Sequence, residues 1–372
     1  MKNLKLPCAL SLVAAAVLVI APHHAAAQDY RDSSGAVFVM TNAASHNQID
    51  AYTRLADGSL EFSGSFATGG NGSGGTVDPL HSQGSLTLSA DHRRLFAVNA
   101  GSGTVSSFAV EGARLALLDT EATGGSSPTS VTEAGDLLYV LNSGGNGSVS
   151  GFSVLGNGHL LPIKDSTRNL SGTARSPTDI ALSPDRQFLV VAESATNKID
   201  VFRVYPNGTL SDIVASPSAG ATPFAVTFAP NDALIVANAS NTISSYQLRW
   251  NQSLTTISDA LPTAGLATCW NVILPNGRFV YTDNATSSNQ SGFAVDARGS
   301  LKPVGDTIVS SNPDNSGNLG MAVGADGRYL YTLNAATGAI GVFAVQEDGG
   351  VASLELQDGL PASAGLNGIA AY

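Results

Sequence analysis

The stretch Leu138-Tyr-Val-Leu-Asn142-Ser-Gly-Gly-Asn-Gly-Ser-Val-Ser-Gly-Phe152 contains the pattern that decides the fold. A run rich in apolar, β-branched and aromatic residues ends at an asparagine, a small polar loop follows, and a second run ends at an aromatic residue. The pattern occurs seven times, with the asparagine or its substitute at positions 42, 99, 142, 193, 238, 284 and 334. Short runs of this composition, bounded by turn residues, are typical of β-strands.

The spacing of these marker positions indicates the architecture. Successive markers lie 43 to 57 residues apart, which suits four short strands and their turns, the content of one propeller blade. No segment shows the sustained 3.6-residue period of a helical repeat. Asx-Gly turns such as Asp57-Gly-Ser-Leu60 supply the positive φ angles that tight hairpins need. The sequence therefore predicts an all-β, seven-bladed β-propeller over residues 36–372.

The two ends of the repeat region predict how the ring closes. The region begins at a strand of the second type, Ala36 to Thr41, with no first strand ahead of it. It ends at Ala364-Gly-Leu-Asn-Gly-Ile-Ala-Ala-Tyr372, which is similar to the innermost strands of the other repeats. We expect this C-terminal segment to complete blade one, because closure removes the open edge of the sheet.

The first residues have the features of a cleavable export signal. Lys2 and Lys5 precede an apolar run from Leu6 to Ala21, and the small residues Ala25-Ala-Ala27 follow. This order is typical of a signal peptide, and the run is shorter than a membrane span. We predict a signal peptide at 1–27, a linker at 28–35 and an exported protein, periplasmic or secreted, without membrane insertion.

Charge and cysteine content limit the partners. The formal net charge is −11 and no basic cluster is visible, so the chain would repel phosphate backbones and nucleic acid is excluded as a partner. Cleavage would leave Cys269 as the single cysteine, which excludes an intrachain disulfide. The histidines do not occur at metal-ligand spacing. The expectation is a monomer without metal or cofactor that binds a small molecule.

Particular motifs resemble a known family. The aromatic-Val-x-Asn strands, Ser183-Pro-Asp-Arg186 and Gln83-Gly-Ser-Leu86 resemble the lactonase-type seven-bladed propellers. That family includes 6-phosphogluconolactonase-like and carboxymuconate-cyclase-like proteins and is related to YVTN-repeat propellers. The resemblance covers about residues 36–372 and implies chemistry on a lactone. Thr178 stands where the catalytic members have a histidine near the channel.

Three residues are candidates for catalysis at the face where the loops gather. Glu193 replaces the marker asparagine with a charge, and is either a general base or a solvated turn carboxylate. Arg175, in the loop before the fourth innermost strand, could stabilise an oxyanion with Glu193, or form an ordinary surface ion pair. His81, before the second innermost strand, is either a base near neutral pH or plain polar surface.

Five residues are candidates for ligand binding at the same face. Trp270 is either an aromatic platform for a ligand ring or part of the core. The other four carry polar side chains in the loops or strand ends that would surround the channel: Gln83, Asp179, Lys198 and Asn271.

Three functions follow from these residues and the resemblance. The first is an exported lactonase-like hydrolase that acts on a small lactone or related carboxylate in the channel mouth. The second is a non-catalytic propeller that binds a ligand or partner, which the absent channel histidine and the mostly neutral loops favour. The third is a lactone-forming cyclase, an isomerase, because the family that the chain resembles contains both reactions.

Overall fold

Seven antiparallel sheets surround a central axis in the computed structural model, which describes Met1, residues 35–171 and residues 176–372. Residues Ser33–Tyr372 form one compact unit. The predicted all-β, seven-bladed propeller is confirmed. The predicted signal peptide and nearly all of the linker lie outside the described residues.

Each blade runs from an innermost strand at the axis to an outermost strand at the rim, and consecutive strands pair in antiparallel fashion. Blade 1 contributes β1 (Gly35–Met40), β2 (Gln48–Arg54) and β3 (Leu60–Ala67). Blade 2 consists of β4 (Leu86–Leu88), β5 (Arg94–Asn99), β6 (Thr104–Glu111) and β7 (Arg114–Ala122). Blade 3 consists of β8 (Pro128–Ala134), β9 (Leu137–Asn142), β10 (Ser148–Val154), β11 (Leu160–Pro162) and β12 (Arg168–Asn169).

The later blades repeat this order. Blade 4 consists of β13 (Pro177–Leu182), β14 (Phe188–Glu193), β15 (Lys198–Arg203) and β16 (Val214–Pro217). Blade 5 consists of β17 (Pro223–Phe228), β18 (Ala233–Asn238), β19 (Thr242–Leu248) and β20 (Leu254–Pro262). Blade 6 consists of β21 (Thr268–Ile273), β22 (Phe279–Asn284), β23 (Asn289–Val295) and β24 (Leu301–Ser311). Blade 7 consists of β25 (Asn318–Val323), β26 (Tyr329–Asn334), β27 (Ala339–Val345) and β28 (Val351–Asp358), and β29 (Ile369–Ala371) follows.

The ring closes at blade 1, as predicted. β29 pairs with β1 in antiparallel register, with Phe38 opposite Ala370, so the last strand of the chain is the innermost strand of the first blade. The backbone N–H of Tyr372 donates to the carbonyl of Ala36 at 3.0 Å and extends the pairing by one residue. Leu366, just before β29, is fully buried, so closure also contributes apolar burial.

The second strand of each blade lies inside the ring, which explains why its sequence is nearly continuous in apolar residues. Every side chain from Leu138 to Asn142 is fully buried, because these strands are covered by neighbouring blades on both faces. The outermost strands instead alternate or expose their side chains, as β3 does. The marker pattern therefore indicates strands that are buried between neighbouring blades.

The two faces of the ring carry different connections between strands. We call the side with the loops before the innermost strands and after the second strands the loop face, and the opposite side the turn face. On the turn face, the hairpin between the third and fourth strands docks against the preceding blade. A backbone carbonyl of the hairpin turn accepts a hydrogen bond from a side chain of the preceding blade. The donors are Tyr329 Oη to the carbonyl of Ala56, Arg94 Nη2 to Gly156, Arg203 Nη2 to Trp250, and Arg278 Nη2 to Glu347.

Candidate functional site

The marker asparagines are hydrogen-bonded between blades on the loop-face side. The hydroxyl of Thr68 donates to Asn99 Oδ1 at 2.6 Å, and Asn99 Nδ2 donates to Ser106 Oγ at 2.8 Å. The marker of blade 2 thus joins the residue that follows the outermost strand of blade 1 to the third strand of its own blade. The same arrangement recurs with the sets Asn142, Thr123 and Ser150, and Asn238, Ser218 and Ser244. In blade 6, Asn284 bonds to Ser291 in the same way, but its donor is Thr268 of the innermost strand.

Blade 4 replaces this neutral pair with two carboxyl groups. Glu193 holds the marker position, and Asp200 holds the third-strand position that Ser106 occupies in blade 2. Glu193 Oε2 accepts from Thr196 Oγ1 at 2.7 Å and from Ser171 Oγ at 3.3 Å. Asp200 Oδ2 accepts from the Ser171 backbone N–H at 2.9 Å. Neither carboxyl group has exposed surface.

Glu193 influences the ionisation of Asp200. Burial, and to a smaller extent the charge of Glu193, raises the pKa of Asp200 to about 7. One oxygen of each group, Glu193 Oε1 and Asp200 Oδ1, is buried and has no hydrogen-bond partner among the described residues. A pair of close carboxyl groups keeps one proton at neutral pH, because two adjacent negative charges are unfavourable. The pair can therefore both accept and donate a proton.

The predicted cations do not complete this pair within the described part of the chain. Arg175 lies outside the described residues, so its pairing with Glu193 stays a prediction. Lys198 begins β15 directly opposite Glu193 in the strand register and is half-buried. Within residues 35–171 and 176–372, no ion pair joins Lys198 to Glu193.

The segment from Leu80 to Gly84 crosses the central channel on its way from blade 1 to blade 2. Its backbone and side chains reach the innermost strands of blades 3, 4 and 6. Ser82 Oγ donates to the Thr129 carbonyl at 2.8 Å, and Trp270 Nε1 donates to the Ser82 carbonyl at 3.1 Å. Gly84 has φ of +76°, and a Cβ atom there would lie 2.6 Å from Ser130 Oγ, so glycine is required. We call residues 80–84 the channel segment.

The structure brings together four of the five predicted ligand-binding residues, in bonds that attach the channel segment to blades 4 and 6. Gln83 Nε2 donates to Asp179 Oδ2 at 3.1 Å, and the backbone N–H of Asn271 donates to Gln83 Oε1 at 2.9 Å. Asp179 accepts further bonds from Ser130 Oγ and from backbone N–H groups, and is buried. Trp270 is 2 % exposed. These side chains join blades 4 and 6 through Gln83.

His81 lies beside this group but not beside the carboxyl pair. Its ring packs against Phe224 of blade 5 with centroids 5.0 Å apart, and its side chain is exposed. The neighbouring Asp78 accepts from Asn367 Nδ2 at 3.1 Å. Burial raises the pKa of Asp78, and the charge of His81 opposes that shift. The described contacts of His81 include neither Glu193 nor Asp200.

Several buried acidic groups near the axis were not predicted from the sequence. Burial raises the pKa of Asp283 to about 7, and its Oδ2 atom has no hydrogen-bond partner among the described residues. Burial, with Asp78 and Asp283, also raises the pKa of Cys269, which keeps the thiol protonated and unreactive. Asp200 was detectable, because it lies seven residues after Glu193 as Ser106 lies seven after Asn99.

Two further properties concern ligands and membranes. Across residues 35–171 and 176–372, no group of three or more His, Cys, Asp or Glu side chains could hold a metal ion. The described residues also contain no helix long and apolar enough to cross a membrane.

The fold and the loop-face site define a seven-bladed propeller with one acidic blade, and comparison with known proteins gives its family. The profile described as "Lactonase, 7-bladed beta-propeller" matches residues 73–173 and 163–270, more than half of the chain. The chain belongs to this family.

Curated relatives share moderate identity with the chain. A 6-phosphogluconolactonase of Serratia proteamaculans is 24% identical over 237 residues, which cover 60% of this chain and 69% of the relative. A 6-phosphogluconolactonase of Yersinia pestis is 28% identical over 186 residues, which cover 44% of this chain and 55% of the relative. The chain therefore spans little more than half the length of the Yersinia protein in this match.

Solved structures share the fold over most of the chain. A putative 6-phosphogluconolactonase of Bacteroides uniformis superposes with a TM-score of 0.73 at 20% identity, covering 91% of this chain and 100% of its own. A periplasmic gluconolactonase of Pseudomonas aeruginosa superposes with a TM-score of 0.69 at 21% identity, covering 90% and 99%. At these identities the likeness establishes the propeller fold and no more.

Proposed function

We propose that the protein is a lactonase-like hydrolase that opens a small lactone at the loop face of blade 4. The observation that carries the proposal is the Glu193–Asp200 pair, which replaces the neutral asparagine–serine pair of other blades. The names of the Serratia and Yersinia relatives support the same reaction class. The structure of the carboxyl pair suits the two proton transfers that the reaction needs.

Lactone opening adds water to a carbonyl carbon and breaks the ring C–O bond. In the proposed mechanism ionised Glu193 accepts a proton as water attacks, and the carbonyl oxygen becomes an oxyanion. The protonated Asp200 carboxyl then donates its proton to the departing ring oxygen as the C–O bond breaks. The products are a hydroxyl and a carboxylic acid on one molecule, and a proton transfer between the carboxyls restores the starting state.

We also propose that the protein is exported. The support is the predicted leader at 1–27 and the periplasmic location in the name of the Pseudomonas neighbour. The protein for the activity experiment is therefore expressed with its leader and purified from the periplasmic fraction. Its intact mass should correspond to a chain that begins at Gln28, and a mass that retains residues 1–27 would contradict cleavage.

The activity experiment follows acid release from sugar, aliphatic and muconate-type lactones in a pH-stat. We expect turnover above background, reduced at least about 100-fold in Glu193→Gln, because removal of a general base costs about 10²–10⁴ in rate. Glu61→Gln, an exposed glutamate of blade 1, is the matched control and should retain full activity. Turnover that persists in Glu193→Gln would exclude the carboxyl pair as the site.

A non-catalytic binding propeller is the second candidate, and one observation favours it. Both Glu193 and Asp200 lack exposed surface, while Gln83, Asp179 and Asn271 are hydrogen-bonded to one another in the channel. This second candidate predicts that a lactone or hydroxy acid raises the melting temperature without turnover.

A further inference from the structure

The hairpin at Trp250 on the turn face differs from the equivalent hairpins of the other blades. The five equivalent turns, in blades 1, 3, 4, 6 and 7, have no aromatic residue at this position, which holds Ala56, Gly156, Pro206, Ala297 and Glu347. Blade 5 has Trp250 instead, and its side chain is 64% exposed. The hairpin docks to blade 4 through the backbone carbonyl of Trp250 and through Gln252 Nε2, which donates to the carbonyls of Val201 and Asp212.

The indole of Trp250 is held in one orientation. The guanidinium carbon of Arg203 lies 3.8 Å from the ring centroid, and Arg203 Nη2 also donates to the Trp250 carbonyl at 2.6 Å. Phe188 makes an edge contact with the indole, with ring centroids 6.1 Å apart. A cation over one ring face and an aromatic side chain at its edge fix the ring. A preorganised exposed ring binds a ligand without further ordering.

Free polar groups surround the ring in a cleft of about 530 Å³. Tyr205 lines this cleft with 43% of its surface exposed, and Gln187 lies beside it. Gln187 bonds through its backbone only, and neither its side-chain amide nor the Tyr205 hydroxyl forms a hydrogen bond with another group in the described chain. Arg186 and Asp136 form an exposed ion pair at 3.1 Å on the same cleft. The cleft thus combines aromatic surface with available donors and acceptors.

Two further cavities lie beside this cleft. The turn from Ser183 to Arg186 contributes residues to all three, which measure about 530, 710 and 610 Å³. The last of these is lined by innermost strands of blades 2 to 5 and includes Gln83 and Asp179. We call the three neighbouring cavities together the turn-face groove.

The turn-face groove carries charged groups of both signs. Its lining includes the acidic residues Glu133, Asp136, Asp179, Asp185 and Asp232 and the basic residues Arg186, Arg203 and Arg298. A polyanion would meet five acidic groups here, and a polycation would meet three guanidinium groups. The mixture of signs favours a neutral ligand that offers many hydroxyl groups.

We propose that the turn-face groove binds a neutral oligosaccharide, with one pyranose ring stacked on Trp250. One face of a pyranose ring presents C–H groups, whose hydrogens carry a small positive charge. These hydrogens suit the negative face of an indole. The hydroxyls of the sugar match the free groups of Tyr205 and Gln187, and the next sugars occupy the neighbouring cavities. This site is independent of the proposed lactonase reaction, which belongs to the loop face.

The test measures iodide quenching of tryptophan fluorescence in the full mature protein. Iodide reaches the exposed Trp250 and not the buried Trp270, so the quenched signal reports the groove. Cellohexaose, maltohexaose and chitohexaose are the probes, at millimolar concentrations. We expect at least one of them to protect Trp250 from iodide, and calorimetry to give its affinity.

Variants locate the binding. Trp250→Ala and Tyr205→Ala should each weaken affinity for that probe, the former about tenfold or more, the loss typical of a central aromatic contact. Phe62→Ala, which removes a 59% exposed aromatic residue from blade 1, should bind as the wild type does. Unchanged lactone turnover in the variants separates this site from the loop face.

Three results would overturn the proposal. None of the three oligosaccharides protects Trp250, or both groove variants bind with wild-type affinity. Alternatively, sedimentation velocity shows a dimer that Trp250→Ala converts to a monomer, which would identify a second copy of the chain as the occupant. Far-ultraviolet circular dichroism confirms that each variant is folded, and Tyr205→Ala tests the groove without disturbing the Arg203–Trp250 stack.

Discussion

At the residue scale, blade 4 differs from its neighbours because its Glu193–Asp200 pair can ionise. The Asn99–Ser106 pair keeps its hydrogen bonds at any pH, because neither side chain ionises. The Glu193–Asp200 pair holds a proton whose loss depends on pH. A buried pair of this kind lowers stability once both groups are charged, and such a cost is characteristic of functional sites.

The raised pKa of Asp200 predicts a pH-dependent free energy of unfolding. Folded Asp200 keeps its proton up to about pH 7, whereas the unfolded residue loses it near pH 4. Between these values the folded state binds more protons, so stability is greatest below pH 4 for this group and falls as pH rises to 7. Asp200→Asn should remove a part of this fall on the order of 2–4 kcal/mol.

Urea denaturation at pH 5 and pH 8 measures this effect. Asp200→Asn should be more stable than the wild type at pH 8, because the substitution removes a buried charge beside Glu193. Asp314→Asn, at an exposed position, should leave the pH dependence as it is. Equal pH slopes in the wild type and Asp200→Asn would mean that Asp200 is ionised throughout.

Sequence reasoning identified Glu193 but not its partner. A charge at a position that otherwise holds asparagine is visible in a repeat alignment, and the same alignment places Asp200 at the serine position. The burial of both groups was not visible, because a carboxylate after a strand is as common on a solvated turn. The sequence therefore indicated where blade 4 differs and could not show that the difference lies inside the ring.

At the element scale, the channel segment determines the shape of the centre. β4 has only three residues, whereas the innermost strands of blades 3 to 7 have six or seven. The residues that would lengthen β4 leave the sheet and cross the axis instead. Gln83 then bonds to blade 4 through Asp179 and to blade 6 through Asn271.

Gln83→Ala should destabilise the folded protein by about 1–3 kcal/mol. The substitution leaves the Asn271 N–H without its acceptor and removes one donor from the buried Asp179 carboxylate, and unsatisfied buried groups cost about this much. Thermal melting measures the change. Gln187→Ala removes an exposed glutamine and should have no effect on the melting temperature, and the same result for Gln83→Ala would show that the channel segment contributes little to stability.

Sequence reasoning could not predict the path of the long connection between blades 1 and 2, which contains the channel segment. Gln83, Asp179 and Asn271 lie far apart in sequence, and polar residues near a predicted mouth equally suit ligand binding and internal bonding. Trp270 was predicted as an aromatic platform or as part of the core, and its indole N–H donates to the Ser82 carbonyl. Ser82 belongs to the connection that follows blade 1, and no local sequence pattern predicts that this connection lies beside Trp270.

At the scale of the whole molecule, the ring is closed by few residues. β29 supplies the innermost strand of blade 1, and Leu366 and Ile369 are buried beside it. Sequence reasoning predicted this closure because the repeat region begins without a first strand and ends with one extra strand of the innermost type. Blade number and closure were predictable because every blade repeats the same burial pattern, which a single sequence displays seven times.

Deletion of residues 366–372 should therefore prevent stable folding. The loss of β29 exposes the edge of β1 and removes two large apolar side chains from the interior, which together cost about 4 kcal/mol or more. Thermal melting and size-exclusion chromatography measure the outcome. Removal of Tyr372 alone, a half-buried residue after β29, is the milder control, and an unchanged melting temperature in the longer deletion would contradict closure by β29.

The position of the channel segment affects how small molecules can enter and leave the central channel. Because residues 80–84 bond to blades 3, 4 and 6 across the axis, we expect them to obstruct the channel between the loop face and the turn face. A compound that enters from one side should then leave by the same opening. The loop face and the turn face could therefore be filled at the same time by unrelated molecules, and an inhibitor designed for one face should not displace an occupant of the other.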